Sequence, residues 1–286
     1  LLGILLAADL AGESSLLMSL ALMLIVILMQ SAANTLNDYY DFVKGTDRPE
    51  NSNDPADAVL VYNCIDPAHV RALGFAFLCA AGALGAYVVA EGGLVPLAAG
   101  AAGGLAVIAY SAGKSPISYL PLGELLSGIA MGGLVPFAAF AAFTREARFD
   151  VLLYSLPCII GVGLVMMTNN ICDIERDRES GRKTLPALLG RERARLLYRA
   201  LFIAMLLSLP VIAALHFRHV GAAMLPALLL GANVFRKQLN MPLMPDGREA
   251  CMKGMTQSAV LAYSAYFSVI VADMLAGAHI IALPGL

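Results

Sequence analysis

Long apolar segments follow one another along almost the whole chain, and they restrict its possible folds more than any other feature. A helix needs about 20 mostly apolar residues to cross a bilayer. With 59% hydrophobic and 14% charged residues, the chain is too apolar for a water-soluble globule. We predict an all-α integral membrane protein with nine transmembrane helices in a single domain, residues 1–286, the first helix being truncated. The nine segments are 1–11, 15–36, 70–90, 93–110, 119–143, 149–171, 194–215, 219–235 and 257–282.

Positively charged residues lie mainly on one side of this predicted bundle. The loops after the second, fourth, sixth and eighth segments hold sixteen of the 19 Lys and Arg residues, and the other side holds Arg145, Arg148 and Arg218. Because Lys and Arg stay on the cytoplasmic side of a membrane, these even-numbered loops are predicted to face the cytoplasm, with the protein in the plasma membrane. The net charge of −2 gives no indication of nucleic-acid binding.

Acidic residues are concentrated in two of the loops on that side. Each loop begins with a motif that places carboxylates and an amide at the end of an apolar segment: NDYYDFVKGTD, residues 37–47, and NNICDIERDRESGRKTL, residues 169–185. If the helices continue into the motifs, residues three or four apart share a face. The predicted rows of oxygen atoms are Asn37, Asp38 and Asp41 in the first motif and Asn169, Asp173 and Asp177 in the second.

Crowded carboxylates repel one another, so their presence at a membrane boundary indicates a positive partner. Mg²⁺ takes one or two carboxylates and completes its shell with water and phosphate oxygens. Two such sites on separate helices could hold two Mg²⁺ ions around a diphosphate and neutralise it as it leaves. The alternative is that these are solvated helix-end acids paired with nearby arginines. The occurrence in both motifs of an Asn four residues before an Asp favours the metal interpretation.

The two motifs resemble the signatures of the UbiA superfamily of intramembrane prenyltransferases, most closely those of its MenA branch, the 1,4-dihydroxy-2-naphthoate polyprenyltransferases of menaquinone synthesis. The resemblance implies nine helices around a central cavity that opens to lipid, with a polar cap over two Mg²⁺ ions. It implies transfer of a polyprenyl group from an allylic diphosphate to that aromatic acid, giving demethylmenaquinone, CO₂ and diphosphate. Other acceptors (4-hydroxybenzoate, homogentisate, an ether-lipid precursor) stay open. A cation-coupled secondary transporter is the alternative from another class.

Carried over by position, the resemblance implies roles for residues at the predicted cytoplasmic end. The implied metal ligands are Asp38, Asp41, Asp47, Asp173 and Asp177. The implied diphosphate ligands are Asn37, Asn170, Lys114, Arg182 and Lys183, with Tyr110 preceding Lys114 in a Tyr-x-x-x-Lys element. Catalytic roles fall to Asp41, Asp173, Tyr110 and Lys114. Glu124 begins the fifth segment within apolar surroundings, where an ionisable residue is a functional candidate, and it has two possible roles, binding the acceptor or making a structural hydrogen bond.

Overall fold

The computed structural model describes residues 1–47, 59–63, 65–217 and 219–282, with side chains up to residue 277. Arg48 and Arg218, which entered the charge comparison, lie outside this part of the chain. All regular secondary structure within it is helical, which confirms the predicted class. The α-helices are α1 Leu2–Ala11, α2 Leu16–Val43, α3 Val59–Tyr62, α4 Pro67–Gly92, α5 Leu94–Ser111, α6 Gly123–Ser127, α7 Val135–Thr144, α8 Val151–Tyr154, α9 Leu156–Cys172, α10 Ile174–Glu179, α11 Leu185–Leu189, α12 Arg191–His216, α13 Met224–Leu230, α14 Ala232–Leu239 and α15 Arg248–Ala282.

Short non-α turns connect several of these helices. A π-helical stretch, Gly128–Leu134, joins α6 to α7 without a break, so that Gly123–Thr144 forms one long helical unit. The 3-10 turns are Ile117–Tyr119, Gly221–Ala223 and Pro245–Gly247.

Six helical units in the described part of the chain are long and apolar enough to cross a membrane. They are Leu16–Val43, Pro67–Gly92, Leu94–Ser111, Gly123–Thr144, Arg191–His216 and Pro245–Gly277. Three shorter apolar helices, Leu2–Ala11, Leu156–Cys172 and Gly221–Leu230, coincide with the remaining predicted segments. The protein is therefore an integral membrane protein, and the full count of nine crossings stays a prediction.

Several helix ends differ from the predicted ends, because hydropathy marks where a bilayer ends and not where a helix ends. Helix α2 continues past the expected boundary at 36 and includes the first acidic motif up to Val43. Helix α15 begins at Arg248 instead of 257, and its 35 residues exceed the length needed to span a bilayer. The predicted segment 219–235 is divided at Gly231 between α13 and α14.

The main hydrophobic core lies in one part of the bundle, among α1, α9, α12 and α15. Tyr198, Phe202 and Met205 of α12 are almost fully buried there, together with Leu164 of α9 and Tyr266 of α15. Helices α2, α4 and α5 pack against one another in another part. Few of their side chains are buried, and a second hydrophobic core there is small, consisting of Met18, Ala21, Val88 and Ala142. The three helices also enclose a cavity together with Gly123–Thr144.

Two glycines allow the unit Gly123–Thr144 to approach α9 at backbone distance. A Cβ atom added at Gly132 would lie 2.5 Å from backbone atoms of Cys158, and one added at Gly128 would lie 2.6 Å from the carbonyl oxygen of Ile159. Small residues four apart permit such close helix packing in membranes. The contact brings the start of α6 beside the end of α9, where the second motif begins.

Candidate functional site

The cavity has a volume of about 1110 Å³ and joins the two acidic motifs. Ala, Gly, Val, Leu and Met side chains of α2, α4, α5 and Gly123–Thr144 make up most of its wall. Residues from both motifs line this cavity, so the structure brings together side chains that are far apart in sequence. The polar lining residues are Gln30, Asn34, Asn37, Asp38, Tyr110, Ser118, Ser127, Asn169, Asn170 and Arg182.

The first motif is helical, as predicted, and its amide and carboxylate contact each other. Asn37 Nδ2 donates a hydrogen bond to Asp41 Oδ2 over 2.9 Å. Ser111 Oγ, at the end of α5, donates to Asn37 Oδ1 over 3.0 Å. Lys44 Nζ donates to the carbonyl oxygen of Ser111 over 2.7 Å. These bonds fasten the end of α2 to the end of α5 and leave Asp41 buried, with 6% of its surface exposed.

A reversal of the chain after α10 directs Arg182 towards both motifs. Gly181 has a φ of 77°, a left-handed conformation that favours glycine. The reversal lets the Arg182 backbone N–H donate to the carbonyl oxygen of Asp177 over 2.7 Å. The Arg182 guanidinium then lies 2.5 Å from Asp41 Oδ1 and 4.0 Å from Asp177 Oδ1. One arginine therefore connects a carboxylate of the first motif with a carboxylate of the second.

The ring of Tyr119 supports this arrangement from the loop after α5. The Arg182 guanidinium carbon is 5.0 Å from the ring centroid, and Lys44 Nζ is 5.2 Å from it. The Tyr119 hydroxyl shares a 2.6 Å hydrogen bond with Thr46 Oγ1. Its carbonyl oxygen accepts from the backbone N–H of Lys183 over 2.9 Å. Cation–π attraction and these bonds hold three separate segments together.

The other half of the second motif contacts a different arginine. Arg248 Nε, in the first turn of α15, lies 2.9 Å from Asn169 Oδ1 and 3.2 Å from Asp173 Oδ2. The helix is interrupted at Asp173, between α9 and α10, although the backbone N–H of Asp177 still donates to the Asp173 carbonyl oxygen. The predicted row is thus divided, because Asn169 and Asp173 share Arg248 whereas Asp177 lies beside Arg182.

The last acid of the first motif, Asp47, pairs with Arg176 of α10. Burial raises the pKa of Asp47 above its usual range, against the opposing effect of Arg176. Burial also raises the pKa of Asp177 to about 6, although a 2.8 Å hydrogen bond from Thr184 Oγ1 and the charge of Arg182 oppose the increase. Ionisation of these buried carboxylates is unfavourable unless a cation lies nearby, and an arginine lies beside each of them.

Glu124 makes the hydrogen bond that was one of its two predicted roles. Asn170 Nδ2 donates to Glu124 Oε1 over 2.8 Å. The other carboxylate oxygen, Oε2, is buried without a hydrogen-bond partner among the described residues, and so is Oγ of Ser118, which lines the cavity. Asn170 lines the cavity as well, so its hydrogen bond connects the buried carboxyl group of Glu124 to the cavity wall.

Two lysines assigned by resemblance lie away from the cavity wall. Lys114 and Lys183 are exposed, and neither lines the cavity, although Tyr110 does. The sequence interpretation treated Lys44 and Arg248 as topology residues only. The signal for Lys44 was present, because it follows Asp41 by three residues on a helix and so shares its face. No local signal could identify Arg248, since its partners lie on another helix.

The residues present suit Mg²⁺ in chemical type, since carboxylate and amide oxygens are its preferred protein ligands. Within the described ranges, no group of three or more His, Cys, Asp and Glu side chains is assembled for a metal. Asp41, Asp47, Asp173 and Asp177 each lie near an arginine instead. The donor set therefore fits a metal ion that brings phosphate oxygens with it, and the arginines fit the phosphate.

The fold and the cavity together define a helical integral membrane protein with a mostly apolar cavity. Its polar lining includes Asn37 and Asp38 of the first motif and Asn169, Asn170 and Arg182 of the second, whereas Asp41, Asp47, Asp173 and Asp177 lie outside the lining. Comparison with known proteins then gives its family. The chain belongs to the UbiA prenyltransferase family, whose family model matches residues 1–253.

Curated relatives and solved structures agree with this family. The chain is 36% identical over 194 residues to 1,4-dihydroxy-2-naphthoate octaprenyltransferase of Bacillus subtilis, covering 65% of this chain and 60% of that protein. It is 31% identical over 232 residues to UbiA prenyltransferase domain-containing protein 1 of Danio rerio, covering 80% of this chain and 67% of that protein. The matched region thus spans about two thirds or less of these relatives.

Two archaeal structures show the same fold. A UbiA homolog from Aeropyrum pernix aligns with a TM-score of 0.66 and 20% identity, over 96% of this chain and 95% of that one. A UbiA homolog from Archaeoglobus fulgidus, solved with GPP and Mg²⁺, aligns with a TM-score of 0.63 and 18% identity, over 94% of this chain and 95% of that one.

Proposed function

We propose that this protein transfers a polyprenyl group from an allylic polyprenyl diphosphate to 1,4-dihydroxy-2-naphthoate. The observation that carries the proposal is the cavity, because its mostly apolar lining, joined by polar side chains of both acidic motifs, matches an apolar chain that ends in a diphosphate. Family membership supports the same reaction type.

Each part of the cavity has a role in this reaction. The apolar wall holds the prenyl chain and excludes water, which would otherwise capture an allylic cation. Arg182 and the amides of Asn37 and Asn170 supply donors for diphosphate oxygens, since all three line the cavity. Bound Mg²⁺ supplies positive charge that stabilises the departing diphosphate. The relative solved with GPP and Mg²⁺ supports a divalent metal requirement, and we propose two ions, held by Asp38, Asp41, Asp47, Asp173 and Asp177.

The bonds made and broken are those of an aromatic substitution. A ring carbon of the acceptor forms a bond to C1 of the prenyl group, while the C–O bond breaks and its electron pair leaves with the diphosphate. The acceptor loses its carboxylate as CO₂, which leaves demethylmenaquinone in its quinol form.

The naphthoate acceptor is supported by the Bacillus subtilis relative, which is named for that substrate. The relatives named UbiA prenyltransferase domain-containing protein 1 do not carry an acceptor in their name, and their identity of about a third leaves other acceptors open. The transporter alternative finds no support in these relatives. We also propose that the protein lies in the plasma membrane with its acidic motifs facing the cytoplasm, and the charge distribution supports the orientation.

A panel assay tests the proposal. The full chain, reconstituted in lipid nanodiscs, is given a polyprenyl diphosphate, Mg²⁺ and one aromatic acid at a time: 1,4-dihydroxy-2-naphthoate, 4-hydroxybenzoate or homogentisate. Diphosphate release and prenylated product are measured by mass spectrometry. We expect product with the naphthoate. Product with a different acid alone would overturn the acceptor, and no product or diphosphate with any of the three acids would overturn prenyl transfer to an aromatic acid.

A further inference from the structure

Arg182 occupies the position between the two motifs where a cation is needed. Its guanidinium lies 2.5 Å from Asp41 Oδ1, and the other oxygen of Asp41 accepts the amide of Asn37. Both carboxylate oxygens of Asp41 are therefore engaged within the protein. Each oxygen keeps a second lone-pair site, but a metal ion bound there would lie beside the positively charged guanidinium and be repelled by it.

Burial makes this cation necessary. Asp41 and Asp177 have 6% and 3% of their surface exposed. Buried carboxylates without a positive partner are strongly unfavourable, and Arg182 is the arginine near both of them. Its Nε atom is buried, has no hydrogen-bond partner among the described residues, and belongs to a side chain that lines the cavity. Arg182 thus retains donor capacity for a ligand in the cavity.

A guanidinium stays charged at all relevant pH values, so it cannot remain against Asp41 beside a divalent cation without an anion of its own. A diphosphate provides that anion and matches the geometry of the guanidinium donors. The ring of Tyr119 supports Arg182 at 5.0 Å from one side, a contact that does not depend on Asp41.

We propose that Arg182 is an exchangeable counter-ion of the two motifs. It neutralises Asp41 and Asp177 in the ligand-free protein and transfers to phosphate oxygens when a diphosphate binds, which frees Asp41 for the metal. Metal and diphosphate binding are then coupled through this one side chain, and the coupling is reciprocal. This exchange by Arg182 rests on the proposed function in one respect, which is that the ligand carries a diphosphate group.

The exchange predicts opposite effects on the two ligands when Arg182 is replaced by Gln. Without the guanidinium, Asp41 is open to a metal. In the absence of pyrophosphate, the Mn²⁺ affinity of Arg182→Gln should therefore be at least about tenfold higher than that of wild type, which is the size expected for the loss of one charged hydrogen bond. With Mg²⁺ saturating, inorganic pyrophosphate should bind the variant about tenfold or more weakly. Mn²⁺ binding is measured by electron paramagnetic resonance and pyrophosphate binding by calorimetry, both on the full chain in nanodiscs.

Arg193→Gln is the matched control, because it removes the same charge from an exposed position on α12 outside the cavity wall. Both affinities should stay within about twofold of wild type in it. If Arg182→Gln fails to fold, Arg182→Met tests the same two changes in affinity, since Met removes the positive charge and keeps a long, unbranched side chain.

Mn²⁺ affinity that is unchanged or weaker in the Arg182 variants would overturn the exchange, as would an unchanged pyrophosphate affinity. These measurements do not involve prenyl transfer. If the panel assay gives no product but both binding effects are present, the proposed function is overturned and the exchange stands. If the panel assay gives product but the binding effects are absent, the exchange is overturned and the proposed function stands.

Discussion

Asn170 donates a hydrogen bond from Nδ2 to Oε1 of Glu124 over 2.8 Å, which ties the end of α9 to the start of α6 beside the cavity. The bond gives the Asn170 amide a defined orientation, with its oxygen left for other partners. It also satisfies one of the two oxygens of a carboxyl group that is only 7% exposed. The close approach at Gly128 and Gly132 is what brings these two residues together.

We expect Glu124→Gln to retain most activity and Glu124→Ala to lose about ten- to a hundredfold in kcat/KM. Gln keeps an oxygen that accepts from Asn170, whereas Ala leaves a cavity-lining amide without its partner, at about 1–3 kcal/mol. Steady-state kinetics with the acceptor varied measures both. If Glu124 binds the acceptor through its charge, Glu124→Gln will raise the acceptor KM as much as Glu124→Ala does.

Lys44 and Lys114 offer a direct comparison between the structure and the family resemblance. Lys44→Gln removes the bond to Ser111 and a cation against Tyr119, so it should lower thermal stability and raise the KM for the prenyl diphosphate. Lys114→Gln removes the same charge from an exposed position and should leave thermal stability unchanged. A larger increase of the donor KM in Lys114→Gln than in Lys44→Gln would support the role that the resemblance implies for Lys114.

The two motifs should act as one unit in catalysis. Asp41→Asn and Asp173→Asn should each lower kcat on the order of 10³-fold, equivalent to several kcal/mol of barrier. Asp41 and Asp173 contact different arginines, and a shared metal–diphosphate complex would couple them directly. The double variant should be scarcely less active than either single variant, because residues that act together are non-additive.

Metal removal provides the control for this result. EDTA should abolish turnover and added Mg²⁺ should restore it. Losses that multiply in the double variant, or full turnover in EDTA, would show that the two motifs do not share a metal-bridged diphosphate.

The close packing of Gly123–Thr144 on α9 should make Gly132 sensitive to substitution. Gly132→Ala places a methyl group 2.5 Å from backbone atoms of Cys158, and overpacking of this kind costs about 1–3 kcal/mol. Thermal unfolding in detergent measures the loss. Gly104→Ala on α5 is the matched control, because a Cβ there meets nothing within 4 Å and Ala favours a helix. Equal stability of the two variants would contradict the observed backbone approach.

Membrane orientation can be measured with cysteine labels in a background of Cys64→Ala and Cys79→Ala, because Cys79 is exposed and Cys64 lies in the polar stretch between the second and third predicted segments. Single cysteines at Glu146 and Lys183, both exposed, should react with a membrane-impermeant reagent from opposite sides, with Lys183→Cys on the cytoplasmic side. Labelling of both from the same side would contradict the predicted helix count between them.

The sequence by itself determined the features that depend on neighbouring residues. Apolar segment length predicted the helical membrane class, and four-residue spacing predicted the contact between Asn37 and Asp41. The motifs also indicated the family, which the family match confirmed. These properties are local, because a helix repeats every few residues and the bilayer thickness determines how long an apolar segment must be.

Only the tertiary structure decided which cation meets which carboxylate. Arg182 lies on Asp41, Arg248 lies on Asp173, and Lys44 rather than Lys114 lies beside the Tyr119 ring. Each of these contacts joins residues from different segments. Their geometry depends on how closely the helices pack and where the chain turns, as at Gly132 and Gly181, and a linear pattern of charges carries no information about distances across a bundle.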